Sequence, residues 1–119
     1  MGFDQKLVDR IRDAISVTHE YVEEKTMFQG LCFMVNEKMC ICVRDDEMMC
    51  RIGHENYEEV MEMNGVRAMI HGKRMMKGYV FVSPEGYADK EDFDRWISIS
   101  LEFNKIAKAS KKKKQSKGS

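Results

Sequence analysis

The chain has 119 residues, 43% of them hydrophobic and 34% charged, with 20 basic and 20 acidic side chains. That size and balance fit one globular domain able to bury a modest core without staples. They exclude a membrane-spanning helix, because no apolar run is long enough, and the stretch Met1 to Lys6 lacks the layout of a secretory signal. A cytoplasmic protein is the default expectation.

The net charge of zero conceals a split. From Lys105 onward there are seven basic residues and no acidic ones, so the part through Asn104 carries about −7. An acidic body repels phosphate backbones. Contact with a nucleic acid then falls to the basic tail or to an uneven local patch.

In chain order, Asp4 is placed to cap a first helix, with Phe3 and Val8 at the staple positions around it. Leu7, Val8, Ile11 and Ile15 follow at helical spacing. The β-branched run Ile15 to Thr18 ends that helix nearby. A strand is expected from Val22 to Phe28, broken by Gly30. Leu31 to Val35 and Met39 to Val43 are apolar on both alternating faces, which predicts two strands covered on both sides. Asn36-Glu37-Lys38 is the turn between them. Arg44 to Glu47 turns into a further strand, Met48 to Ile52, completing an antiparallel meander.

Gly53 ends the meander. Glu55, Glu58 and Glu59 favour the N-terminal end of a second helix, with Tyr57, Val60 and Met61 inward and Asn64-Gly65 as its stop. Arg67 to His71 and Tyr79 to Val82 read as two strands, with Gly72-Lys73-Arg74 and Met75-Met76 in the linker. Ser83-Pro84-Glu85-Gly86 reads as a turn. Asp89 caps a third helix with Phe93, Trp96, Ile97 and Leu101 inward. The domain is expected to span 1–109, and 110–119 to be a disordered lysine tail. This order predicts an α+β fold, an antiparallel sheet of five to six strands with helices packed on it.

Cys32, Cys40, Cys42 and Cys50 have the spacing C-x7-C-x-C-x7-C. Thiolates suit soft metals, so these four are the candidate metal ligands. Zinc sites, however, use closer spacings that fold two sulfurs onto one ion. In an extended strand Cys40 and Cys42 share a face about 7 Å apart. That spacing favours buried hydrophobes over a chelate, and a cytosolic compartment disfavours a disulfide. The 11 methionines are read as core filling, with Met75-Met76 as the pair most able to face outward. His19, His54 and His71 match no ligand spacing, and no serine sits in a nucleophile elbow. Gly72 to Gly78 is basic and bracketed by glycines but lacks a phosphate-loop order. Lys111, Lys112, Lys113 and Lys114 are the candidate contacts to a polyanion. They have no interleaved aromatics to stack on bases.

Met27-Phe28-Gln29-Gly30-Leu31 resembles the start of the N-terminal domain of the TfoX/Sxy family, where Met-Phe-Gly-Gly precedes a hydrophobic hairpin. Gln29 stands in place of the first of those glycines. The resemblance continues at Val35 to Met39, Arg51-Ile52-Gly53, Tyr57-Glu58-Glu59, Met76-Lys77-Gly78-Tyr79-Val80 and Trp96, covering residues 3–104. It implies a secretion-chaperone-like order, α-β(3)-α-β(2)-α. It implies a standalone version of the domain, without the C-terminal domain of the two-domain competence regulators. It marks Met27, Phe28, Gly30, Gly53, Met76, Lys77, Gly78, Tyr79 and Trp96 as motif residues.

The functional expectation is a non-enzymatic protein-interaction module without a cofactor. Its implied partner is a protein such as a transcription factor. Weak non-specific nucleic-acid contact is assigned to the tail, and dimerisation through an exposed edge strand is compatible with the fold. Two other readings stay open. One is a thiol or soft-metal protein using the Cys/Met-rich strands. The other is a small-molecule binder with a pocket between sheet and helix.

Overall fold

Helix α1 (Gln5–Ser16) starts where Asp4 accepts a hydrogen bond from the Lys6 backbone N–H at 2.9 Å. It buries Leu7, Val8, Ile11 and Ile15, the stripe that the spacing predicts. The structure, a computed structural model, describes residues 3–18, 20–27 and 30–107, with the backbone alone at His71. The expected tail from Ser110, including Lys111 to Lys114, lies outside the described residues, as do Phe28 and His19.

Six strands follow the first helix: β1 (Val22–Met27), β2 (Gly30–Val35), β3 (Lys38–Arg44), β4 (Glu47–Arg51), β5 (Val66–His71) and β6 (Arg74–Val82). They form one antiparallel sheet in the order β1-β2-β3-β4-β6-β5. A 3-10 turn and helix α2 (Tyr57–Met61) separate the first four strands from the last two. Helices α3 (Pro84–Tyr87) and α4 (Lys90–Ile106) complete the described residues. The α+β class therefore holds, with a first group of four strands rather than three. The strand beyond the three that the resemblance implies is β1, which the residue pattern expects at Val22 to Phe28; it is a largely exposed edge whose Glu24 pairs with Arg12 of α1 in a bidentate contact at 2.7 and 2.8 Å.

Two local expectations are corrected. Ser83 to Gly86 is not a simple turn, because Pro84 opens the short helix α3, where its fixed φ and missing N–H suit the first helical position. Met75 and Met76 lie within β6, because Gly72, at φ 66°, turns the chain early and lets β6 begin at Arg74.

All four helices pack on one face of the sheet. The core on that side combines Leu7, Ile11 and Ile15 with Phe33, Ile41, Val43, Met48, Ile52, Val80, Val82, Phe93, Trp96 and Ile97. Two buried polar groups lock α4 in place. Trp96 Nε1 donates to the Gly86 carbonyl at 3.2 Å. Asn104 Nδ2 donates to the Val35 carbonyl at 3.1 Å, and its own carbonyl accepts from Lys38 Nζ at 2.6 Å. These bonds tie the end of α4 to the β2–β3 hairpin. Gly30 opens β2 against the backbone of β3, where an added Cβ would lie 2.0 Å from the Val43 carbonyl oxygen. Only glycine permits that approach.

Candidate functional site

Among the described residues no helix lies on the sheet's second face, so there the apolar strands are not sandwiched as their sequence suggests. Its cover is made by its own side chains. Cys32, Cys42, Met49 and Phe81 are buried there, packed by Met27, Met34, Met39, Met69 and Tyr79. The register runs Lys25, Cys32, Cys42, Met49, Phe81 and Arg67 across all six strands. Long flexible side chains on neighbouring strands can shield such a row without a second layer. Arginines complete the cover. The Arg67 and Arg44 guanidinium groups lie 4.6 and 5.2 Å from the centre of the Phe81 ring. Arg67 is also paired with Glu47.

A β-bulge decides where the cysteines go. Phe33 pairs with Ile41 but Met34 with Met39, so Cys40 is the extra residue on β3. Cys40 therefore joins the helix-side core with Cys50, and Cys42 faces the other way. The expectation that Cys40 and Cys42 share a face is overturned by that one inserted residue. The same shift brings Cys42 directly opposite Cys32, at a Cα separation of 3.9 Å, and the two form a disulfide. The expectation of no disulfide is thus corrected. Close Cα spacing of this kind belongs to the non-hydrogen-bonded antiparallel pair, where side chains approach most closely.

The four candidate metal ligands are therefore divided between opposite faces of the sheet. Cys40 and Cys50 remain thiols. Burial pushes the Cys40 thiol up to about 12, with neighbouring Cys50 adding to the rise. Burial likewise pushes Cys50 up to about 12. The nearby Ser100 hydroxyl acts in the opposite sense, although it is buried and makes no hydrogen bond of normal geometry. Both thiols are neutral near pH 7 and unsuited to nucleophilic attack. Among the described residues, no group of three or more His, Cys, Asp and Glu side chains converges to hold a metal.

Motif residues that are distant in sequence meet at one end of the sheet. Arg51, Gly53, His54, Arg74 to Tyr79 and Phe103 line a cleft of about 380 Å³. Gly53, Met76, Lys77, Gly78 and Tyr79, five of the nine motif residues, are on its wall. Gly53 adopts φ 85°, and a Cβ there would lie 2.6 Å from the Phe103 ring, so glycine both makes the turn and seats the ring. The Arg51 guanidinium stands 5.7 Å from the Tyr79 ring and 5.6 Å from the Phe103 ring. It also donates to the Met39 carbonyl at 3.4 Å. Met27 and Gly30 lie elsewhere, at the β1–β2 end of the sheet, and Trp96 is a core residue. Arg51, His54, Arg74, Met75 and Phe103 are the wall residues that sequence reasoning did not assign to a site. Phe103 falls on the helical stripe of α4, but its meeting with Gly53 is a tertiary contact that periodicity does not encode.

Among the described residues, a four-plus-two antiparallel sheet has every helix on one side and a self-covered opposite face, which defines an α+β domain. The sequence matches the TfoX N-terminal domain over residues 16–104, and the chain belongs to that family. No curated protein and no solved structure matches it. Among the described residues no helix is long and apolar enough to cross a membrane.

Proposed function

We propose that this domain is a non-enzymatic interaction module of the cytoplasm that adjusts transcription through a protein partner, the role suggested by the competence regulators for which the family is named. The observation that supports this reading is the helix-free sheet face. It carries Met34, Met39, Met69 and Tyr79 as half-buried apolar side chains, fringed by the cations Lys25, Arg44, Arg51 and Arg67 in excess over the carboxylates Glu23 and Glu47. Adaptable thioethers beside arginine-capped aromatics are the composition of a protein-docking surface. Its charge fits a partner segment with apolar side chains flanked by carboxylates.

The expected result in cells is specific. Supplying the chain to cells that lack it changes the transcript levels of a defined set of genes. Met34→Asp removes that change while circular dichroism shows the fold retained, because the new carboxylate meets the partner's own negative charge. A folded Met34→Asp protein with full effect on transcripts would contradict the proposal.

A further inference from the structure

The hairpin that builds one wall of the motif-lined cleft has an unusual charge. Residues 66–82 contain Arg67, Lys73, Arg74 and Lys77 and no carboxylate, although the body through Asn104 is about −7. Three of the residues lining the cleft are permanent cations, Arg51, Arg74 and Lys77, and His54 adds an imidazole. None of its lining residues is acidic. Among the described residues, Arg74 and Lys77 make no ion pair. A larger cleft of about 690 Å³ between α1 and α4 lacks this bias, because Asp13 and Asp94 share its walls with Arg10 and Lys90.

Like charges gathered around a concave wall repel one another and focus positive potential into it. Each would be relieved by an anion in the cleft, and several cations match a phosphate dianion better than a single carboxylate. The rest of the lining is of another kind. The Tyr79 and Phe103 rings and the Met75 and Met76 thioethers offer flat and adaptable apolar surface next to the charges. The volume falls within the range of small-molecule sites. The rings are held by regular secondary structure, Tyr79 by the β4–β6 ladder opposite Arg51 and Phe103 by helix α4. The site is therefore largely pre-formed.

We infer that this cleft binds a small organic phosphate, a phosphomonoester carried on a flat ring. Arg74 and Lys77 would take the phosphate at the mouth, Arg51 would supply a fixed charge at the wall, and Tyr79 and Phe103 would receive the ring. This inference concerns a separate ligand from the docking partner and does not depend on that partner's existence.

Isothermal titration calorimetry on the full chain at low salt tests it, with phenyl phosphate, inorganic phosphate and phenol as probes. Phenyl phosphate is expected to saturate a single site with a dissociation constant near or below about 1 mM. Inorganic phosphate should bind about tenfold or more weakly, and phenol should give no detectable heat, because neither supplies both features. Arg74→Gln/Lys77→Gln should weaken phenyl phosphate about tenfold, the equivalent of roughly 1.4 kcal/mol. Both side chains are exposed, so that variant is expected to fold. Replacing Lys111, Lys112, Lys113 and Lys114 by Gln should change nothing. The inference is overturned if phenyl phosphate fails to saturate by about 10 mM. It is equally overturned if binding survives the Arg74/Lys77 substitutions or is lost with the tail lysines instead.

Discussion

Trp96→Ala is expected to lower the free energy of unfolding by about 3–5 kcal/mol. Trp96 is among the largest fully enclosed side chains of the helix-side core, and its removal leaves a cavity where α3, α4 and the sheet meet. It also strands the Gly86 carbonyl, which accepts from the indole N–H inside the protein. A domain of this size has a total stability of about 5–15 kcal/mol, so the variant sits close to unfolding at ambient temperature. Urea denaturation followed by far-ultraviolet circular dichroism measures the effect. Trp96→Phe separates the two causes, since it fills most of the volume but still removes the donor. It should lose about 1–3 kcal/mol. Loss of less than about 1 kcal/mol in the alanine variant would mean that α4 does not dock through this residue.

The second large effect is expected from the Cys32–Cys42 disulfide. The bond spans 10 residues of sequence, and closing a loop of that length restrains the unfolded chain by up to about 3 kcal/mol. The β2–β3 hairpin already favours the same closure through the Asn36-Glu37 turn, whose residues both have positive φ. Reduction is therefore expected to cost about 2–3 kcal/mol, read as a lower urea midpoint. Cys32→Ala/Cys42→Ala should show the same loss and no longer respond to reductant. Alkylation of the unfolded, unreduced protein should modify Cys40 and Cys50 alone. Four modified cysteines, with equal midpoints in the presence and absence of reductant, would refute the bond. In a reducing cytosol the same pair is held as thiols, so the stability gain belongs to the oxidised protein.

How far the fold could be read from the sequence depended on the range of each interaction. The α1 stripe of Leu7, Val8, Ile11 and Ile15 is local periodicity and appears as expected. So does the stop at Gly53 and the inner face of α4 through Phe93, Trp96 and Ile97. The hairpin around Asn36 was legible as a hairpin, but its bulge was not. Without the inserted residue the turn would set Cys32 opposite Ile41 and Cys42 opposite Leu31, on the other face. One added residue on β3 turns Ile41 to the helix side and brings Cys42 into line with Cys32, while Cys40 stays in the helix-side core. Nothing in the residue types announces that insertion, because Met39, Cys40 and Ile41 are each acceptable on either side.

The candidate site was legible only as scattered motif residues. Gly53 and Met76 to Tyr79 are separated by more than 20 positions, and pairing of β4 with β6 is what sets them side by side. The uncovered face was hidden for a related reason. Alternating apolar residues on both sides of β2 and β3 describe strands shielded on both faces, and that pattern does not distinguish a second layer from a cover of Met and Arg side chains on the same sheet.

The central claim is that this helix-free face is where a protein partner docks. Site-specific photo-crosslinking in cells tests it directly, with a photoreactive residue in place of Met34 on that face and, as a control, in place of the exposed Glu58 on α2. The account predicts one discrete crosslinked protein from position 34, lost when Arg44 and Arg67 are reversed to Glu, and none from position 58. Equal crosslinking from both positions, or none from position 34, would contradict it.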